Sequence, residues 1–206
     1  MKFELIGNNT SEIRVNWVKE QLKIIPDGCT ILDAGAGERV FKPFCSHLEY
    51  VSQDFGQYTG GDINGSETWN NEGLDIISDI TSIPVEDNSF DYILCTEVLE
   101  HVPDAAAAIK EFSRILKPGG ILLATAPFCS LTHFAPYHFS GYNSFWWQHH
   151  LSRNNFKIEL IESNGNWFSF VAQELRRSRW MGKTNGMPIL GLIQESFLYQ
   201  LYLCYQ

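Results

Sequence analysis

Two groups of residues in this chain have the types and spacing to do chemistry. The first is Asp33-Ala34-Gly35-Ala36-Gly37, an acid and a tight glycine turn closing the apolar run Thr30-Ile31-Leu32. Glycines in such a turn let the backbone come close to a ligand with no side chain in the way. That geometry suits a cofactor lying across the carboxyl edge of a parallel sheet. The second group is Glu97-Val98-Leu99-Glu100-His101, two carboxylates and an imidazole in five residues. Titratable groups of this kind can take a proton from an acceptor or orient it.

A Gly-x-Gly turn serves both nicotinamide and S-adenosylmethionine (SAM) sites. The nicotinamide fingerprint wants a further glycine or alanine three residues on, and that position is Val40. The departure favours SAM. Acids also recur at the ends of successive apolar runs. Asp54 stands where an acid accepts from both ribose hydroxyls. Asp79 stands where an acid can accept from an adenine amino group, with Ile80 packing on the ring. One such aspartate by itself reads as a turn or helix cap; their ordered recurrence is the signal.

The elements that must position these residues alternate. Helices are expected over 10–25, 38–48, 104–116 and 143–153, and strands over 29–34, 49–54, 74–79, 90–95, 121–125 and 156–161. Ala105, Ile109, Phe112 and Leu116 share one helical face, and Pro118-Gly119-Gly120 leads into the next strand. Strands alternating with helices imply a doubly wound, mainly parallel α/β sheet of Rossmann-like type, with helices on both faces and right-handed crossovers. Beyond Asn166 the pattern changes to helices at Trp167–Arg177 and Ile189–Tyr205, joined by a linker over 181–188. Residues 1–165 are therefore read as the sheet-bearing domain and 166–206 as a helical extension packed on it.

With 206 residues, a net charge of -9 and 44% hydrophobic residues, the chain suits one soluble α/β domain. An acidic chain is a poor general binder of nucleic acid or anionic membrane, although Arg176, Arg177, Arg179 and Lys183 gather late. The five cysteines form no Cys-x-x-Cys pair and read as buried reduced thiols. No run approaches the length of a membrane span, and the amino terminus lacks a signal peptide's apolar core, so a cytoplasmic location is expected.

Together the segments 31–37, 83–91, 97–102 and 116–120 resemble the class I SAM-dependent methyltransferases, specifically the broad type 11 group. The resemblance covers about residues 29–163. It implies that Gly35 and Gly37, with Ala34, border the methionine part of SAM, with Asp33 near its amino group. Asp54, with Phe55 beside it, would bind ribose. Asp79 and Ile80 would bind adenine, and Thr96 and Glu97 would close the sulfonium side. His101, His138 and Glu100 are then the candidates for acceptor and proton handling. Some relatives that methylate ribose hydroxyls of small RNAs, or hydroxyls of quinone precursors, hold a divalent metal on this Glu-x-x-Glu-His cluster. His133 or His138 would be a later ligand here, beside the reading that these groups only pack and hydrogen-bond; no metal is assigned.

Two departures from the relatives' pattern fall after the fifth strand. His138 stands where an acid is frequent, and Gly141 where an arginine is frequent. The aromatic group Phe139, Tyr142, Phe145, Trp146 and Trp147 can stack on a ring substrate or belong to the core. The seventh, antiparallel strand of the class has no counterpart in the sequence after Ile161. The expected activity is methyl transfer from SAM to a hydroxyl or amine of a small-molecule or glycan acceptor. The alternatives are a non-catalytic SAM-fold scaffold, a metal-assisted RNA 2′-O-methyltransferase and, least favoured, a nicotinamide oxidoreductase.

Overall fold

Short apolar runs bounded by turn residues form a parallel sheet whose carboxyl edge gathers the candidate residues. The computed structural model describes residues 10–58, 69–130, 133–134 and 136–184, with side chains as far as Arg176. The strands are β1 (Thr30–Ala34), β2 (Glu49–Asp54), β3 (Ile76–Ile77), β4 (Phe90–Thr96) and β5 (Leu116–Thr125). They lie in the order β3-β2-β1-β4-β5, with every pairing parallel. The register sets Ala34 beside Gln53, Asp54 beside Ile77 and Thr96 beside Thr125. The loop after each strand therefore emerges at one edge, where open α/β sheets bind ligands.

The helices are α1 (Thr10–Lys23), α2 (Ala105–Ile115), α3 (Ser144–Arg153) and α4 (Trp167–Thr184). In α2, Ala105, Ala108, Ile109, Phe112 and Ile115 are all buried, at helical spacing. The Asp104 side chain caps it by accepting from the Ala107 amide at 3.0 Å. This face meets Leu32, Ile93 and Cys95 of the sheet in one apolar core. Arg114 locks the helix end to the segment before β4. Its guanidinium donates to Glu111 at 2.7 Å, to Asp87 at 2.7 Å, and to the Ile83 and Val85 carbonyls.

Four local expectations are corrected. The helix expected over 38–48 is a series of turns with one 3-10 turn at Lys42–Phe44. Arg39 has φ 58°, and Pro43 offers no amide to continue a helix. The strand expected over 74–79 is only two residues long. β5 starts at Leu116 rather than after the Pro-Gly-Gly turn, which becomes an irregularity inside it: Phe90 pairs with Leu116, then Tyr92 with Ile121. No strand forms over 156–161, where Leu160 is 61% exposed and Ile161 is 41% exposed, so neither offers an apolar face to a sheet.

Residues 18–161 form one compact unit, which contains the sheet and every candidate site residue. The other comprises residues 1–17 and 162–206. Within it Asn164 donates to the Thr10 carbonyl at 2.6 Å, and Asn166 caps α4 through the Ser169 amide at 3.1 Å. α4 runs on to Thr184, into the span read as a linker; the helix expected at 189–205 lies outside the described residues. Among the described cysteines Cys45 and Cys95 are buried, whereas Cys129 is exposed.

Candidate active site

The glycine turn is dictated twice over, by backbone and by space. Gly35 has φ 75° and Gly37 φ 49°. A Cβ at Gly35 would lie 2.4 Å from both γ-carbons of Val98, and one at Gly37 would lie 2.7 Å from the Trp69 indole. The amides of Gly35 and Ala36 both donate to the Gln53 carbonyl at 2.8 Å. The Gly37 amide donates to Asp54 at 3.0 Å and the Gly56 amide to the other Asp54 oxygen at 2.9 Å. One buried carboxylate thus ties the loop after β1 to the loop after β2. Each of its oxygens keeps a second lone pair for a hydroxyl. A turn that excludes side chains, beside an acid with acceptor capacity for two vicinal hydroxyls, fits the ribose and methionine parts of SAM.

Asp33 lies one step deeper, 2% exposed, and accepts from the Tyr50 phenol at 2.5 Å. Burial pushes its carboxyl up to about 6, against the lowering effect of the Tyr50 hydrogen bond; the Asp54 charge adds to the rise. Asp79 closes a turn, accepting from the Thr81 amide at 2.8 Å and its hydroxyl at 2.7 Å. Ile80 is buried in the core. Thr96 ends β4, and Glu97 follows with φ 53°, an uncommon backbone state for a residue with a side chain. Its carboxylate accepts from the Thr125 hydroxyl at 3.0 Å, and its amide donates to the Thr125 carbonyl at 2.9 Å. Phe55 meets Tyr137 edge-on at 5.2 Å between ring centroids.

A cluster of rings occupies the other half of this edge. His101 packs against His133 at 4.9 Å, Phe134 at 5.1 Å and His138 at 5.8 Å, and His133 against His138 at 4.4 Å. His101 Nδ1 bonds the Tyr137 carbonyl. A carbonyl only accepts, so Nδ1 carries the proton and Nε2 is the bare nitrogen. That Nε2 is buried without a hydrogen-bond partner, 3.7 Å from Glu100 Oε1. Burial pushes the His101 imidazole down to about 4, so it is neutral at pH 7. Glu100 is 1% exposed. Its carbonyl accepts the Phe139 amide at 2.8 Å, which draws the loop after β5 back over it.

The fold thus brings Gly35, Gly37 and Asp54 together, through bonds to Gln53 and Asp54, and packs Glu100, His101 and His138 into a second cluster. Gly141 is explained by space: a Cβ there would lie 2.3 Å from the Phe128 carbonyl oxygen. Tyr142 is buried and donates to the Leu99 carbonyl at 2.9 Å, and Trp146 and Trp147 pack on the core. Phe145, 76% exposed, does neither. Tyr58, Trp69 and Phe134, absent from the sequence-based site, form mutual edge contacts at 4.8–5.7 Å. Tyr58 and Trp69 are the two aromatic residues of the polar stretch 56–73, a signal available beforehand.

A model of the type 11 methyltransferase domain matches residues 32–124, spanning the glycine turn through β5. This segment belongs to the class I SAM-dependent methyltransferase family, whose cofactor is SAM. The chain is 30% identical over 129 residues to a ubiquinone biosynthesis O-methyltransferase of Pseudomonas paraeruginosa, covering 57% of this chain and 52% of the relative. It is 49% identical over 45 residues to a demethylmenaquinone methyltransferase of Staphylococcus haemolyticus, covering 22% of this chain and 19% of that one. The chain thus spans about half or less of the length of these curated relatives. Among solved structures, the [4+2]-cyclase SpnF superposes with a TM-score of 0.57 at 17% identity, over 91% of this chain and 77% of that one. An N-methyltransferase of Haemonchus contortus, solved with phosphomonomethylethanolamine and S-adenosylhomocysteine, superposes with a TM-score of 0.54 at 17% identity, over 95% of this chain and 49% of that one. That one fold carries both a cyclase and a methyltransferase means the likeness speaks for architecture and not for the acceptor. Among the described residues no helix is long and apolar enough to cross a membrane.

Proposed function

We propose that this domain transfers the SAM methyl group to a hydroxyl or amine of a small-molecule or glycan acceptor, in the cytoplasm. The observation that carries the reading is the Asp54 carboxylate, fixed by the Gly37 and Gly56 amides beside a turn that admits no Cβ. When bound, SAM supplies an electrophilic methyl on a good leaving group. The chain supplies position. Asp54 accepts from the ribose hydroxyls, with Phe55 alongside. Ala34, Gly35 and Gly37 pass the methionine part, Asp33 lies toward its amino group, and Asp79 and Ile80 flank adenine. Thr96 and Glu97 close the sulfonium side, where the Glu97 backbone strain is held by two bonds to Thr125.

Glu100, His101 and His138 face the acceptor in this reading. The neutral His101 Nε2 accepts a hydrogen bond from an acceptor hydroxyl or amine and so orients its lone pair toward the methyl. The net charge of -9 favours a neutral or cationic acceptor over nucleic acid. The printed name of the Pseudomonas relative, an O-methyltransferase, supports a hydroxyl acceptor.

Calorimetry with S-adenosylhomocysteine tests the reading. Micromolar binding is expected, weakened about tenfold or more by Asp54→Asn, the scale of a hydrogen bond to a charged group. Asn retains one acceptor oxygen for a loop amide, so the variant keeps its fold, which circular dichroism checks. A folded wild type that binds none of the ligand overturns the reading.

A further inference from the structure

We propose that residues 69–73 form a strap along the cofactor site, and that Trp69 and Asn71 bind the nucleoside half of SAM. The indole lies against the base, and the Asn71 carboxamide oxygen accepts from a ribose hydroxyl or the base's amino group. The inference rests on the function proposed above. The strap falls between the segments 31–37 and 83–91 that carry the family resemblance, and no motif names it.

Hydrogen bonds fasten the strap to both loops of the β1–β2 side. The Asn70 amide donates to Glu38 Oε1 at 3.3 Å, and Arg39 donates to the Gly73 carbonyl. Glu38 and Arg39 directly follow the glycine turn. Asn71 Nδ2 donates to the Tyr58 carbonyl at 2.7 Å and to the Gly56 carbonyl at 3.3 Å, in the loop after β2. The Trp69 indole covers Gly37, where a Cβ would lie 2.7 Å from it. Gly37 and Gly56 are the two residues whose amides hold Asp54. Through these two glycines the strap flanks the ribose acid on both sides.

Two groups on the strap are available to a ligand. Asn71 Nδ2 meets two carbonyls, which only accept, so the amide orientation is fixed and Oδ1 is the atom left over. That oxygen is buried without a hydrogen-bond partner, a costly state that an O–H or N–H relieves. The Trp69 indole meets Tyr58 and Phe134 at 78° and 71°, edge contacts that brace it without a parallel ring stacked on it. A cavity of about 600 Å³ is lined by Trp69, Asn70, Asn71 and Glu72. An aromatic ring with two carboxamides and a carboxylate suits an uncharged base and hydroxyls, not an anion. Ile80, 7% exposed, offers the base little area, so a stacking surface must come from another element. Fastened through Asn70, Asn71 and Gly73, the strap holds its indole as a wall. A plug would have to swing clear as the cofactor enters.

The test is calorimetry on the full chain with S-adenosylhomocysteine and with 5′-methylthioadenosine, which has the nucleoside but no amino-acid half. Trp69→Ala is expected to weaken both ligands by the same factor, about tenfold, the scale of one base stacked on one aromatic ring. Trp69→Phe recovers most of that loss. Trp69→Leu, which fills the space without a ring, does not, and it decides the question if the alanine variant fails to fold. Asn71→Ala weakens both ligands by about fivefold, the scale of one hydrogen bond. Affinities unmoved in the Trp69 variants overturn the inference and leave the methyl-transfer reading intact. Tighter binding also overturns it and makes the indole a plug. A loss confined to S-adenosylhomocysteine overturns it by putting Trp69 on the amino-acid half. A folded wild type that binds neither ligand overturns the methyl-transfer reading, and this inference with it.

Discussion

The two halves of the ligand edge are built by different means. On the β1–β2 side, backbone amides meet carboxylates and carbonyls: Gly35 and Ala36 on Gln53, Gly37 and Gly56 on Asp54. On the β4–β5 side, rings meet rings: His101, His133, Phe134 and His138 at 4.4–5.8 Å. A site made of backbone recognises groups every cofactor molecule shares, and tolerates no change of side chain at its glycines. A site made of rings on a loop can be re-equipped residue by residue. The difference teaches that the β1–β2 side, the proposed cofactor half, is constrained by geometry and the β4–β5 side, the proposed acceptor half, by side-chain chemistry.

Gly35→Ala is the hardest test of that contrast. It forces a side chain into the left-handed region and against the Val98 methyls, at a combined cost of roughly 3–5 kcal/mol. Urea unfolding is expected to show that loss, and calorimetry a lost affinity for S-adenosylhomocysteine. A stable variant with wild-type affinity would break the contrast.

Asp33→Asn tests the buried acid of the cofactor half. The Asp33 carboxyl is held at about 6 in the folded chain against 3.8 ordinarily. Below pH 4 both states are protonated and the group has no effect on stability. Between pH 4 and 6 the unfolded chain ionises first, so stability falls as pH rises. Above pH 6 the cost is complete, on the order of 3 kcal/mol. Unfolding free energies of wild type and variant, measured without cofactor, are expected to diverge across that window in the variant's favour. A difference that is flat with pH excludes the burial effect.

Tyr142→Phe probes the acceptor half with the smallest change. It removes the donor to the buried Leu99 carbonyl, at about 1–2 kcal/mol. S-adenosylhomocysteine affinity is expected to stay within twofold of wild type, while the melting temperature falls. A comparable loss of cofactor affinity would show the halves to be coupled through the turn carrying Glu100 and His101.

The regular elements were readable wherever local pattern and burial agree. The apolar run into Asp33-Ala34-Gly35 names a strand and a tight turn, and the face of α2 is spaced as a helix core demands. Reading failed where tertiary context overrode local preference. Residues 38–48 have helical composition, yet Arg39 sits at positive φ and Pro43 withholds an amide. The run 156–161 alternates like a strand but finds no neighbour to pair with.

By itself the sequence determined the glycine turn, the acids at the strand ends and the parallel α/β class, because these depend on spacing along one or two elements. Only the tertiary structure decided which groups share a site. It set the Asp54 oxygens on Gly37 and Gly56, sent Glu97 to Thr125 and Asp79 to Thr81, and carried His133 across to Glu100 and His101. Such choices turn on side-chain direction and loop path over separations of up to 33 residues. No periodicity in a sequence encodes them; the packing of the sheet edge does.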